Sequence, residues 1–395
     1  MFRTDRSLAT PALITACTLA GCPVPSEPAP EDPAAIEVAF DGAATIVALG
    51  AGEQHSVLLA GDGTVWASGN NSDGELGFPE STGLLEAFAP VPDVEDVVDV
   101  AAGSLQTFLL YADGTAEAFG WNGDGQLGTG GSADRQFGPA AVQAAGLVGL
   151  ASSGNHTLAI DADGDALGWG WNLSGAVGDN STEERRTPVA LPVLEDVVAI
   201  DAGGQSSAAV VEDGTLYTWG GNGVGQLGDA GDGPNALAPQ VLDVSFDAVD
   251  VAVGSNHMLA IDADGRLWAW GENDQGQLGL GAATTVERPT RIEGLEDVVA
   301  VDAGSDWSIA LAADGSVWVW GAGSSGQLGA GPQETGPALA PQQVAGLEDI
   351  VAVTAGSYHA LALDADGDVF AWGLTDMGQL GLPIADWQDR PVQVF

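Results

Sequence analysis

Four histidines are the side chains of this sequence that most suggest a catalytic or metal-binding role. They are His55, His156, His257 and His359. Each lies eight residues before the glycine of an Asp-Gly pair, so all four occupy one position of a repeated unit. The other three copies of the unit carry Gln106, Ser206 and Trp307 there. Because a tryptophan can stand in for the histidine, we expect this position to serve packing and hydrogen bonding rather than catalysis.

Two acidic turns are the candidates for a metal site. Residues 161–165 and 364–368 both read D-A-D-G-D, and hard cations such as Ca²⁺ prefer clustered carboxylates. Both strings lack the further ligands and the closing Glu of an EF-hand loop. Asp-Gly is also what a tight β-hairpin requires, so we predict turns, with no metal and no cofactor.

Other catalytic signatures are missing from the sequence. The repeated glycine motif, best seen as G-Q-L-G at residues 276–279, has no P-loop lysine. Neither G-x-S-x-G nor H-E-x-x-H occurs. The sequence therefore favours a protein without catalytic activity. An extracellular lyase or hydrolase that uses carboxylates at the axis of the fold remains the alternative.

The charge of the chain excludes one class of partner. All 9 basic residues are arginines, against 56 acidic residues, for a formal net charge of −47. A polyanion of this size repels phosphate backbones. We therefore expect no nucleic-acid partner.

The N-terminus has the pattern of an export signal. Arg3 and Arg6 precede a short apolar stretch that ends in L-A-G-C at Cys22. This ending resembles the bacterial lipobox, which implies a signal peptide at residues 1–21 and a lipid on Cys22. Plain secretion, or use of a poorer site at Cys17, stays open. Residues 22–35 are rich in proline and predict an extended tether, so we expect an exported protein that is lipid-anchored at the bacterial cell envelope.

A regular repeat organises the rest of the chain. Seven Asp-Gly pairs follow one another at steps of 51, 50, 50, 51, 50 and 52 residues. Within each unit, short apolar runs with alternation surround the Asp-Gly turn, which indicates an antiparallel β-meander. Seven such units predict an all-β, seven-bladed β-propeller over residues 36–395. We expect the C-terminal strand to complete the blade begun by the N-terminal strands, with residues 36–40 as a second candidate for the seam.

Five of the twelve tryptophans fall at one repeat position. These are Trp169, Trp219, Trp270, Trp320 and Trp372, with Phe119 and Ser68 in the other two copies. We expect this set to form the core between blades.

The repeat resembles that of the regulator of chromosome condensation family. The matching strings include A-G-E-Q-H-S at residues 51–56 and W-G-E-N-D-Q-G-Q-L-G at residues 270–279. Family members are seven-bladed propellers, so the resemblance implies the same fold. The eukaryotic namesake is an exchange factor for a nuclear GTPase and binds chromatin, roles that do not suit an exported polyanion.

The segments between repeats are the predicted binding site. All variation in repeat length falls between a closing glycine and the next histidine position, and loops on a rigid scaffold often carry recognition. The aromatic and arginine side chains in these segments are candidate partner-binding residues: Phe78, Arg135, Phe137, Arg185, Arg186 and Trp387. The alternative is that they seal blade junctions or pair with carboxylates. We predict a monomeric interaction scaffold for an unidentified protein or cell-surface polymer.

Overall fold

The computed structural model describes residues 45–228, 235–331 and 336–395. The predicted signal peptide, Cys22, the tether and the candidate strand at residues 36–40 lie outside these ranges. The described residues form seven four-stranded antiparallel sheets, each built from four consecutive strands. The seven-bladed propeller predicted from the repeat is confirmed.

The first four blades contain strands β1 to β16, with one short 3-10 helix at Glu80–Thr82 before β4. Their bounds are β1 Ile46–Ala51, β2 His55–Ala60, β3 Val65–Asn70, β4 Leu84–Pro90; β5 Val97–Ala102, β6 Gln106–Tyr111, β7 Ala116–Trp121, β8 Arg135–Ala141; β9 Leu147–Ser152, β10 His156–Asp161, β11 Ala166–Gly170, β12 Arg185–Ala190; β13 Val197–Gly203, β14 Ser206–Val211, β15 Leu216–Gly221, β16 Asn235–Val241.

The last three blades contain strands β17 to β28 in the same order. Their bounds are β17 Ala248–Val253, β18 His257–Asp262, β19 Leu267–Gly271, β20 Val286–Arg291; β21 Val298–Ala303, β22 Trp307–Ala312, β23 Val317–Gly321, β24 Ala338–Gln343; β25 Ile350–Ala355, β26 His359–Asp364, β27 Val369–Leu374, β28 Trp387–Gln393. The first strand of every blade contacts the first strand of the next blade, and β25 contacts β1. The first strands therefore surround the axis.

Asp-Gly turns connect the second and third strands of each blade. In the first blade Gly63 has a φ of 86°, and the Asp62 carboxylate accepts a hydrogen bond from the backbone N–H of Thr64 at 3.0 Å. A residue with a Cβ is strained at this backbone angle. The Asp-Gly pair therefore supplies both the turn geometry and its side-chain hydrogen bond.

Aromatic side chains fill the junctions between blades. The Trp320 indole N–H donates to the backbone carbonyl of Gln277 in the preceding blade at 2.8 Å. A Cβ on Gly279, the closing glycine of that blade, would lie only 3.0 Å from the indole ring. Four more tryptophans make the same contact with the preceding blade: Trp169, Trp219, Trp270 and Trp372. The prediction that this set forms the core between blades is confirmed.

The seam between the seventh and first blades uses a different residue for the same purpose. Ser68 stands at the tryptophan position of the first blade, and the space beside Gly381 is filled by Phe88 from the fourth strand. The Phe395 ring contacts Trp66 and Phe88 edge-on, with ring centroids 5.3 and 6.4 Å apart. Side-chain packing therefore closes the ring.

The predicted mode of closure is wrong. Strand β28 pairs with β27 and completes the seventh blade, whereas β1 to β4 form the first blade alone. Residues 46–393 already supply four strands to each of seven sheets. No place is left in the first blade for a C-terminal strand.

Replacing Phe88 tests this seam. Phe88→Ala should lower the free energy of unfolding by about 3–5 kcal/mol, because it empties a buried aromatic site beside a glycine. Ser68→Trp alone should cost about 1–3 kcal/mol through overpacking. The double variant should recover part of the loss, since a tryptophan at position 68 can occupy the space that Phe88 leaves.

Denaturant unfolding measures all three variants, with Phe119→Ala at the junction of the first and second blades as the control. A Phe88→Ala protein as stable as the wild type would show that the seam carries little of the stability.

Candidate functional site

The propeller presents two different ends. The turns after the first strand and the long loops after the third strand of each blade lie at one end, which we call the loop face. The Asp-Gly hairpins and the turns into the next blade lie at the opposite end, which we call the hairpin face. An axial cavity of about 410 Å³ runs between the first strands.

Three aspartates line one side of this cavity, on consecutive blades, and Glu53 of the first blade also contributes to the lining. Asp201, Asp250 and Asp302 lie on β13, β17 and β21. The described lining holds no histidine, lysine or arginine. The cavity is therefore acidic, with no cationic side chain to balance it.

Backbone N–H groups at the inner edges of the blades donate hydrogen bonds to two of these carboxylates, Asp201 and Asp302. Asp201 Oδ2 accepts from the N–H of Val253 in the next blade at 2.6 Å. Asp302 Oδ2 accepts from the N–H of Ala355 at 2.8 Å and from the Thr354 hydroxyl at 2.9 Å. First strands have no sheet partner on the axial side, so these carboxylates satisfy donors that would otherwise be buried and unpaired.

Loss of hydration makes these half-buried acids weak. Loss of hydration, with a smaller contribution from Asp302, raises the pKa of Asp250 to about 7. Burial and the nearby Asp302 carboxylate raise the pKa of Asp201 well above its usual value. Loss of hydration also raises the pKa of Asp99, on β5, to about 6. Like charges in a poorly hydrated space favour the protonated acid.

The four histidines connect neighbouring blades. His257 Nε2 lies 3.0 Å from the Ser308 hydroxyl of the next blade, which itself donates to the carbonyl of Gln277 at 2.8 Å. A carbonyl can only accept, so the hydroxyl uses its one proton there and the imidazole must donate from Nε2. The other three histidines contact Thr107, Ser207 and Ser56 in the same way.

The histidine rings are neutral and enclosed. Loss of hydration lowers the pKa of His55, His156 and His257 to about 4 and that of His359 to about 3. A Cβ on Gly254 would lie 2.5 Å from His257 Nδ1, so the repeated A-G-x-x-H and V-G-x-x-H strings need glycine to admit the ring. The structure thus gives the histidines the packing and hydrogen-bonding role expected from the sequence.

The acidic turns use their carboxylates internally. Asp161 Oδ1 accepts from the N–H groups of Asp163 and Asp165, both at 3.0 Å. Asp364 Oδ1 does the same for Asp366 and Asp368, both at 2.9 Å. Over residues 45–228, 235–331 and 336–395, no three His, Cys, Asp or Glu side chains converge to hold a metal ion.

The three arginines predicted to bind a partner lie in intramolecular contacts. Arg186 Nη2 donates to the carbonyl of Gly123 in the preceding blade at 2.6 Å. Arg185 Nε lies 2.6 Å from Asp179, and Arg135 Nε lies 2.7 Å from Asp73 across a blade junction. Their recruitment by a partner stays a prediction, and it would have to compete with these contacts.

The three predicted aromatic residues differ in accessibility. Phe78 is half-buried and packs against the core that contains Val91. Phe137 is also half-buried, with its backbone against Gly74 of the first blade. Trp387 is 43% exposed at the start of β28. Of the six predicted residues, only Arg135 and Trp387 are exposed, and Arg135 is paired with Asp73.

Sequence reasoning allowed for carboxylates at the axis as an alternative but did not identify the residues that supply them. Asp201 and Asp302 share one position of the first strand, where the other blades have Gly50, Ala101, Ala151, Ala252 and Thr354. An aspartate at a position of otherwise small residues in a buried strand was the available signal. It was hidden because acidic residues are so frequent in this chain.

The pH dependence of stability tests the axial site. The pKa of Asp250 rises from 3.8 to about 7 on folding, so stability is fully present below pH 4 and is lost as pH rises towards 7. Asp250→Asn should therefore stabilise the protein above pH 7 by up to about 3 kcal/mol and have little effect near pH 4. Denaturant unfolding across this pH range measures the difference from wild type.

Asp213→Asn is the matched control for this measurement. Hydrogen bonds from Thr215 lower the pKa of this exposed aspartate, so its contribution has the opposite sign and is lost as pH falls. If the Asp250→Asn difference does not change between pH 4 and pH 8, the account of the axial carboxylates is wrong.

Comparisons with known proteins agree with this fold. The RCC1-like domain matches residues 196–395, and regulator of chromosome condensation repeats match residues 46–75, 148–176 and 163–210. In solved structures, Prp20p from Saccharomyces cerevisiae has a TM-score of 0.77 and 21% identity over 85% of this chain and 87% of its own. Human WBSCR16 has a TM-score of 0.75 and 24% identity over 84% and 94%.

Two curated relatives match shorter stretches. The human E3 ubiquitin-protein ligase HERC2 is 33% identical over 40% of this chain and 3% of its own length. The RCC2 homolog of Danio rerio is 37% identical over 35% of this chain and 28% of its own. The matched regions thus span less than a third of either relative. In the described part of the chain, no helix is long and apolar enough to cross a membrane. Because the RCC1-like domain accounts for half of the chain and the repeats extend to its first blade, the protein belongs to the RCC1-like domain family.

Proposed function

We propose that the protein is a lipid-anchored interaction scaffold of the cell envelope that binds another protein through its loop face. The observation that carries this proposal is an exposed apolar pair on the last long loop. Ile384 and Trp387 are 48% and 43% exposed, in a chain whose other tryptophans are all at least partly buried. Exposed tryptophans with aliphatic neighbours are frequent anchors of protein interfaces.

The position of Trp387 favours recognition by a rigid surface. A Cβ on Gly326 would lie 3.0 Å from the indole ring, so Trp387 packs against the loop of the sixth blade while one side remains open. Partial packing restricts its rotamers, which lowers the entropy that a partner must remove on binding. Prp20p, a similar propeller, binds Gsp1p and histones. That precedent supports a protein as the class of partner and does not identify it.

The anchor is proposed from the sequence at Cys22. The chain enters β1 at Ile46, at the hairpin-face end of that strand. A tether from the membrane would therefore reach the propeller on its hairpin face. This arrangement would leave the loop face directed away from the membrane and accessible to a partner.

A lyase or hydrolase at the axis has weaker support. The axial acids Asp201, Asp250 and Asp302 are present, but the described lining has no histidine or arginine to act with them. Backbone donors also engage oxygens of Asp201 and Asp302. The geometry fits acids that complete the inner edges of blades.

Cross-linking in cells tests the proposal. Cells that produce the full-length chain are treated with a cross-linker, and the envelope fraction is examined for a defined adduct. Ile384→Ser/Trp387→Ala should reduce the adduct about tenfold while lowering stability by no more than about 1–2 kcal/mol, since Ile384 is exposed and Trp387 is only partly packed. Val193→Ser, at a 53% exposed valine on the hairpin face, is the matched control and should leave the adduct unchanged.

Cys22→Ser, examined in the same cells, tests the anchor and should move the protein from the envelope fraction to the soluble extracytoplasmic fraction. An adduct that persists in the Ile384→Ser/Trp387→Ala variant would contradict the assignment of the binding face. An adduct with polysaccharide would replace the protein by a surface polymer as the partner.

A further inference from the structure

A ring of valines surrounds the axis on the hairpin face. The second residue of the first strand is valine in all seven blades: Val47, Val98, Val148, Val198, Val249, Val299 and Val351. In each case it is the residue skipped by the pairing of the first and second strands, as where Val97 and Asp99 pair with Tyr111 and Leu110. Because the first strands contact one another around the axis, these residues are arranged in a ring at the hairpin-face ends of the first strands. We call this set the valine ring.

Four members of the valine ring are exposed. Val47, Val98, Val249 and Val299 are 44%, 50%, 48% and 54% exposed, and the other three are half-buried. A bulge leaves its extra residue unpaired but does not require an apolar side chain. Threonine is also β-branched and also favoured in strands, but it would expose one methyl group instead of two. Val148, Val198 and Val351 also pack against the core. The four exposed valines form an apolar patch that the fold alone does not explain.

Carboxylates surround this patch. The turns that lead into the first strands present exposed acidic pairs, including Glu95-Asp96, Glu195-Asp196 and Glu296-Asp297. All seven Asp-Gly hairpins add an exposed aspartate at their tips. The arginines that the described hairpin face carries are already paired, Arg266 with Asp264 and Arg291 with Glu296. The rim is therefore strongly anionic around an apolar centre.

We propose that the hairpin face binds a protein segment with an apolar tip flanked by lysine or arginine residues. The apolar tip would cover the valine ring, and the flanking cations would pair with the acidic rim. Anionic membranes and nucleic acids are repelled by this rim. This site is independent of the loop face, so its failure and the failure of the proposed function are distinguishable.

Peptide binding to the purified full-length chain tests the inference. The probe is a fluorescent synthetic peptide with a central run of leucine and valine flanked by arginines, and its affinity is measured by anisotropy. Val98→Thr/Val249→Thr/Val299→Thr should weaken binding about tenfold or more, because threonine keeps the side-chain shape and removes apolar contact. Added salt should weaken binding to wild type and variant alike, because it screens the rim. Leu173→Thr, at a 61% exposed position on the loop face, is the matched control and should bind as the wild type does.

Three results would overturn the proposal. The first is equal binding of a peptide in which serine replaces the apolar run, which would indicate charge attraction alone. The second is no binding of the probe to wild type. The third is a large loss of thermal stability in the triple threonine variant, which would mean that the chain itself covers the ring.

A photo-reactive leucine in the core of the probe gives a second readout that does not depend on the variants. Labelling should map to the starts of the first strands, near Val98 and Val299. Labelling of the loop face around Trp387 would contradict the inference. Ile384→Ser/Trp387→Ala should leave probe binding unchanged, which separates this site from the loop-face proposal.

Discussion

The structure depends on the insertion of an aromatic ring from one blade into the space beside a glycine of the preceding blade. Trp320 at Gly279 shows the arrangement, with the indole N–H donated to the carbonyl of Gln277. The Ser308 hydroxyl donates to the same carbonyl and receives the His257 imidazole N–H. The Gln277 carbonyl thus accepts hydrogen bonds from both the indole and the hydroxyl, while the Trp320 ring supplies apolar contact. The closing glycine, the tryptophan and the histidine of the repeat are parts of one contact between blades.

This contact explains why residues with reactive side chains need not be catalytic. An enclosed imidazole that donates from Nε2 has no free donor for a substrate, and its lowered pKa keeps it neutral. The axial aspartates also hold neighbouring blades together. First strands have an unpaired edge towards the axis, and Asp201 accepts the N–H of Val253 from that edge of the next blade. The histidines and aspartates of the interior therefore hold the blades together. Recognition is left to the two ends of the propeller.

The sequence was sufficient for the blades and for the role of the histidines, because both follow from the repeat. It was insufficient for the seam, since a regular repeat looks the same wherever the ring is closed. The pairing of β28 with β27 and the packing of Phe88 against Gly381 identify the junction. It was also insufficient for Arg186, whose partners are backbone carbonyls of another blade. The sequence did not reveal the valine ring, because the exposure and the arrangement of these valines depend on the bulge and on the position of the first strands around the axis.

The two ends differ in chemistry, and this difference suggests two modes of recognition. The loop face offers an exposed indole on a rigid blade junction, and the hairpin face offers an apolar centre inside a carboxylate rim. In both cases the histidines are assigned to the scaffold and take no part in binding. Nitrogen-15 NMR of the histidine side chains tests this most directly. We expect four neutral rings that are protonated at Nε2 and do not titrate above about pH 5. Titration near pH 6.5, or protonation at Nδ1, would contradict it.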